Sequence, residues 1–174
     1  MTAGSRHHPL RPPSAPVALV PVDRSHRAVL ENLGQLFRHD LSEAYGLLPN
    51  ADGTFNNRRL DLFRTDPRRR AWLITAAGGL GGFAMTQQTD DGGMSITDFF
   101  VVRALRRTGV GREAARLLID MFPGPWRVAF QRYNPGVQPF WSQVAEDAAG
   151  DAWRMYDDPP VDGRPPDTWI TFTT

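Results

Sequence analysis

Cysteine is absent from this chain of 174 residues, which excludes disulfides, thiolate metal sites and any acyl-cysteine intermediate. Lysine is absent as well: all 20 basic residues are arginine, so the chain has no lysine side chain to acylate on itself. Neither sign of charge is in excess. The 19 acidic residues leave a net charge of +1, which argues against a nucleic-acid surface, and Arg68, Arg69 and Arg70 read as a solvated loop. No apolar run approaches the ~20 residues that cross a bilayer, so no membrane partner is expected. Met1 to Pro16 has no apolar segment of the secretory type. The chain is therefore expected to be cytoplasmic, with residues 1–15 a disordered leader in which His7 and His8 are tail residues. No metal site is expected.

What is present is a hydrophobic content of 41%, enough for one core, so residues 16–174 are expected to form a single domain. Val17 to Val22 is a short apolar run bounded by prolines and reads as a first strand. Asp23 or Ser25 can cap a helix whose apolar stripe is Leu30, Leu33, Phe37, Leu41 and Ala44. A loop from Tyr45 to Asn57 leads to a short helix or turn around Leu60, Leu62 and Phe63. Trp72–Ala77 and Phe83–Gln88 are strands of a hairpin separated by Gly78, Gly79, Leu80, Gly81 and Gly82, and Asp90, Asp91, Gly92 and Gly93 make a second tight turn.

That turn opens the most informative stretch, Met94 to Met121. Its first part ends in Phe99, Phe100, Val101 and Val102, an apolar run of the kind buried on both faces of a sheet. A loop, Arg106 to Gly111, follows. Then Ala114, Leu117, Leu118 and Met121 fall on one helical face until Pro123. A helix start offers amides without intrahelical partners and partial positive charge. Such a loop is a natural anion cradle. Gly109 and Gly111 let backbone approach an anion, Thr108 and Val110 lie between and beside them, and Arg106, Arg107 and Arg112 add charge and forked donors. Glycines here are equally suited to making the bend. Neither a P-loop nor a dinucleotide fingerprint fits, since no Gly-Lys-Ser/Thr follows and a third glycine is missing.

Arg106, Gly109 and Gly111, directly after an apolar strand, match the acyl-coenzyme A motif Arg/Gln-x-x-Gly-x-Gly/Ala, and the chain thereby resembles the GNAT acetyltransferase superfamily. Trp126 to Asn134 followed by Phe140 and Trp141 is similar to the family's next strand, its asparagine and the aromatic helix after it. Trp126 to Gln131 also alternates Trp126, Val128 and Phe130, and Trp153–Tyr156 with Thr168–Thr174 reads as a closing hairpin with a long loop.

The resemblance implies an α+β fold with a mixed, mostly antiparallel twisted sheet flanked by helices and central strands that splay apart. It implies acetyl-CoA as co-substrate, held by Phe100, Val101, Val102, the loop from Arg106 to Arg112, Asn134 and Phe140. It implies direct attack of a small-molecule amine in a ternary complex, with an amide near Phe100 or Val101 stabilising the oxyanion and Asp98 standing where many members carry a glutamate base. Asp98 can also be read as a strand carboxylate that accepts backbone hydrogen bonds. The family's tyrosine acid falls on Trp141, whose indole cannot protonate a thiolate, so Tyr133 is the candidate substitute. Asp40, Glu43 and Asp52 are the acidic residues able to attract an ammonium group, or else serve as caps and solvated side chains. His39 pairs with one of them or lies on the surface. Phe55 and Trp141 line the acceptor cleft or simply pack. Alternatives are a non-catalytic CoA-binding module and an acyltransferase for a natural-product intermediate. A homodimer is compatible with all three readings.

Overall fold

A computed structural model describes residues 16–132, 134, 136–159 and 166–174. The expected leader at residues 1–15 and the candidate acid Tyr133 lie outside the described residues.

Seven strands form one sheet in the order β1-β2-β3-β4-β5-β7-β6. They are β1 (Ala18–Pro21), β2 (Arg69–Ala76), β3 (Gly79–Gln88), β4 (Met94–Val101), β5 (Pro125–Phe130), β6 (Arg154–Asp157) and β7 (Thr168–Thr173). Every neighbouring pair is antiparallel except β4 and β5. The helices are α1 (Arg27–Tyr45), α2 (Arg58–Thr65), α3 (Val110–Asp120) and α4 (Val137–Ala149).

The two faces of the sheet carry separate cores. On one, Leu30 and Leu33 of α1 and Leu60 of α2 pack with Leu73, Phe83, Met85 and Phe100. On the other, Leu118 and Ile119 of α3 and Trp141, Val144 and Ala145 of α4 pack with Trp72, Ala84, Ile96, Trp126, Val128 and Ile170. Sheet residues of alternating parity feed each face, as the pleat requires.

Four local readings change. Of the run expected as a solvated loop, Arg69 and Arg70 belong to β2, and Arg69 is half-buried. The glycine-rich hairpin turns earlier than its composition suggests: Ala77 (φ 54°) and Gly78 (φ 78°) make the turn, and Gly79 to Gly82 already belong to β3. Two consecutive residues with positive φ match the twist of a tight hairpin. Gly82 is needed for a different reason, since a Cβ there would lie 1.9 Å from the Phe100 carbonyl oxygen. In α3, the buried face is Val110, Ala114, Ala115, Leu118 and Ile119, while Leu117 is half-buried and Met121 is exposed beyond the helix end. The helix begins at Val110, not Arg112, which brings Val110 into that stripe. Before α1 the chain makes a 3-10 turn, Arg24–His26, and it is this turn that Asp23 caps.

Candidate active site

The parallel pair β4–β5 is joined only over Met94–Ile96 and Trp126–Val128. From Thr97 onward the two central strands diverge, so the upper part of β4 turns one backbone edge to open space. On its other edge β4 stays paired with β3, and the Val102 amide donates to the Gly81 carbonyl at 2.9 Å. Backbone groups alternate direction along a strand. Because Val102 N–H and the Phe100 carbonyl point to β3, Val101 points to the opening. Its carbonyl accepts there from Arg106 Nε at 2.8 Å, and its N–H shares that side. Of the two residues considered for oxyanion stabilisation, Val101 has the suitable orientation.

A β-bulge interrupts the same strand. Met85 opposes Asp98 but Thr86 opposes Ile96, leaving Thr97 as the extra residue. The insertion exchanges the faces: Met94 and Ile96 pack under α3 and α4 together with Phe99, whereas Phe100 packs under α1. Asp98 therefore shares the α1 face with Phe100. Without the bulge it would point into the opposite core. Asp98 is buried and lines a cleft of about 520 Å³ between α1, the splayed strands and β7.

The loop after β4 ends in Gly109, which caps α3 in the left-handed region (φ 90°) without any side-chain cap bond. A Cβ at this position would meet nothing within 4 Å. The approach to the first amides of α3 is thus bare. Gly111 differs, because a Cβ there would touch the Phe140 ring at 3.4 Å and Val101 at 3.7 Å. Gly111 sets the packing of α3 against α4 and β4. Val110 is fully buried and holds the helix start to the sheet. Thr108 Oγ1 closes the loop on the Leu105 carbonyl at 2.7 Å.

The arginines divide by task. Arg106 grips Val101 and Asp40 and lies over Phe100 at 5.6 Å, so it braces the strand end. Arg112 is paired with Asp147 of α4, whose carboxyl is held below the usual range chiefly by that hydrogen bond. Arg107 is exposed at φ 64°. Of the three loop arginines expected to add charge, it alone is without an ion-pair partner among the described residues.

Among the expected acceptor residues, Trp141 lines the cleft and is buried between Phe99 and Phe140, with ring centroids 5.3 and 4.8 Å away. Asn134, expected beside the cofactor, lines it too, in the turn joining β5 to α4. Asp40, Glu43 and Phe55 do not. Asp40 is held by Arg103 and Arg106, Glu43 is exposed, and the Phe55 backbone is clamped at both ends by the Gln35 amide. Asp52 accepts from the Thr54 amide and hydroxyl, which lower its pKa, and His39 is exposed beside Phe55. The cleft wall also includes Arg38, Tyr45, Gln131, Arg127, Asp167 and Trp169. They come from α1 and the far strands, and no spacing in the sequence links them.

The sequence model of the acetyltransferase (GNAT) family matches residues 30–157. No curated protein matches significantly. Among solved structures, the chain is similar to an acetyltransferase from Thermus thermophilus, with 18% identity, a TM-score of 0.68, and coverage of 93% of this chain and 99% of that one. It is also similar to the ribosomal-protein-S18-alanine N-acetyltransferase of Escherichia coli (14% identity, TM-score 0.61, coverage 90% and 93%). A third similar structure is spermidine N-acetyltransferase from Vibrio cholerae in complex with CoA and spermine (13%, 0.61, 90% and 95%). At these identities the three structures speak to the fold.

Proposed function

Since the chain belongs to the acetyltransferase (GNAT) family, we propose that it is an N-acetyltransferase that moves an acetyl group from acetyl-CoA to the amine of a small molecule by direct attack in a ternary complex. The observation that carries this reading is the continuity of the parted strands with a bare, glycine-capped helix start. Together they offer an open backbone edge for an amide-bearing arm and partial positive charge for a diphosphate.

Acetyl-CoA fits the residues present. The first amides of α3 with Arg107 would hold its phosphates, the Val101 edge its pantetheine amides, and Phe140 and Asn134 would flank the arm. The co-substrate supplies an activated thioester. The chain's part is to orient and to move a proton. Asp98, at the base of the cleft, takes a proton from the acceptor's ammonium, through water where its short side chain does not reach; the freed amine then attacks the thioester carbonyl, and solvent returns a proton to the departing thiolate. Val101 N–H faces the side on which a carbonyl oxygen would gain charge. Trp141 and Phe99 wall the cleft and exclude water.

Thiol release with acetyl-CoA across an amine panel tests the reading. Turnover is expected with at least one acceptor, and Asp98→Asn is expected to lower kcat by roughly 10²-fold or more with little change in acetyl-CoA affinity. Tight acetyl-CoA binding without release on any amine would instead support a non-catalytic CoA-binding module.

A further inference from the structure

The cleft around Asp98 carries a charge pattern that the carboxylates singled out in the sequence do not explain. Asp40, Glu43 and Asp52, the residues able to draw in an ammonium group, are all outside its wall. The wall contains Arg38, Arg68, Arg69 and Arg127 against Asp90, Asp98 and Asp167. Arg68 is matched by Asp90 at 2.7 Å and Asp66 at 3.5 Å, and Arg69 lies 3.6 Å from Asp66. That leaves Arg38 and Arg127.

Neither has an ion pair among the described residues, although the charge of Arg127 helps to lower the Asp91 carboxyl after the hydrogen bonds from Thr89 and Gly93. Among the described residues Arg38 uses Nε alone, donating to the Asn56 carbonyl at 3.0 Å, which leaves the donors of its two terminal nitrogens. Arg127 rests over the Trp169 ring at 5.5 Å, which orients a guanidinium plane while leaving its edge open for forked hydrogen bonds. The register puts it near the reaction centre. Arg127 pairs with Ser95, so the two share a face, and Ser95 lies three positions before Asp98 on β4, about 7–10 Å along the strand. An arginine side chain covers much of that distance.

We propose that the acceptor is an amine that also carries an anionic group, with the ammonium directed to Asp98 and the anion to Arg127 and Arg38. A polyamine would meet these two cations beside the carboxylates Asp98 and Asp167, the latter already accepting from the Gln131 amide. An amino acid or an aminoalkyl phosphate satisfies both ends. The proposal rests on the acetyltransferase reading for the fate of the amine, but the anion-binding half stands apart from turnover.

The test compares α-, β- and γ-amino acids with their decarboxylated amines, aminoalkyl phosphates of the same lengths, and spermidine. Thiol release with acetyl-CoA is measured alongside calorimetric titration of the CoA-loaded protein. For at least one pair, the anionic amine is expected to exceed its decarboxylated counterpart in kcat/KM by about ten- to a hundredfold, expressed in KM. Arg127→Gln and Arg38→Gln should collapse that ratio toward one, and Arg127→Lys should restore part of it, with thermal melting confirming that each variant is folded. Comparison of the carboxylate and phosphate members identifies which anion fits. If calorimetry shows arginine-dependent binding of the anionic amine but no thiol is released, the acetyl-transfer reading fails and this one stands. Preference for spermidine or for the decarboxylated amines, or a ratio indifferent to both arginines, overturns it.

Discussion

At the scale of single residues, two glycines on the path to the site act by different means. Gly82 opposes Val101 across β3–β4, and any side chain there would drive into the Phe100 carbonyl. Gly82→Ala is therefore expected to destabilise the protein by about 1–3 kcal/mol or more and to disturb the Val101 edge, weakening acetyl-CoA binding. Chemical denaturation and titration calorimetry check both effects. Gly109→Ala meets no atom, so its cost is the left-handed backbone alone, about 1–2 kcal/mol. The glycine motif was legible in the sequence because only backbone chemistry is needed to read it. The distinct task of Gly111, against Phe140, was not, because it depends on where α4 lies.

At the scale of elements, the α3–α4 and β6–β7 junctions each contain a carboxylate with a depressed pKa. Asp147 is lowered chiefly by its hydrogen bond from Arg112, and Asp157 chiefly by the Thr168 hydroxyl and then Arg132. A depressed folded value means that the stabilisation is present above the unfolded carboxylate range, about pH 4, and is lost as pH falls through the folded value. The melting temperature is expected to be level near neutrality and to fall below about pH 4, with Asp147→Asn and Asp157→Asn each flattening part of that acid limb. An acid limb unchanged in both variants would contradict the assignment.

The strands and helices themselves were largely readable from periodicity. Trp126, Val128 and Phe130 alternate inward as their spacing implies. The bulge at Thr97 was not readable, because a one-residue insertion leaves no mark in an apolar run. Yet it decides the face on which Asp98 stands.

At the scale of the whole molecule, one sheet with a core on each face holds its two middle strands together at one end and lets them part at the other. Trp126 anchors the closed end. It is almost fully buried in the α3–α4 core beside the paired residues Met94–Ile96, and its Nε1 donates to the Phe122 carbonyl at 2.9 Å. Trp126→Ala is expected to cost about 3–5 kcal/mol in denaturant unfolding and to lower acetyl-CoA affinity, since the opening depends on a fixed closed end. The proposed acceptor side is assembled from α1, β5 and β7, segments far apart in the chain. This is why Arg38, Arg127 and Trp169 were invisible as a group until the topology joined them.

Hydrogen exchange resolved to single amides, with and without acetyl-CoA, tests the central claim most directly. The account predicts new protection at Val101 and at the first amides of α3, from Gly109 to Arg112, with the β3-facing Val102 amide already protected in the free protein. Protection that appears elsewhere while those amides exchange as before would contradict it.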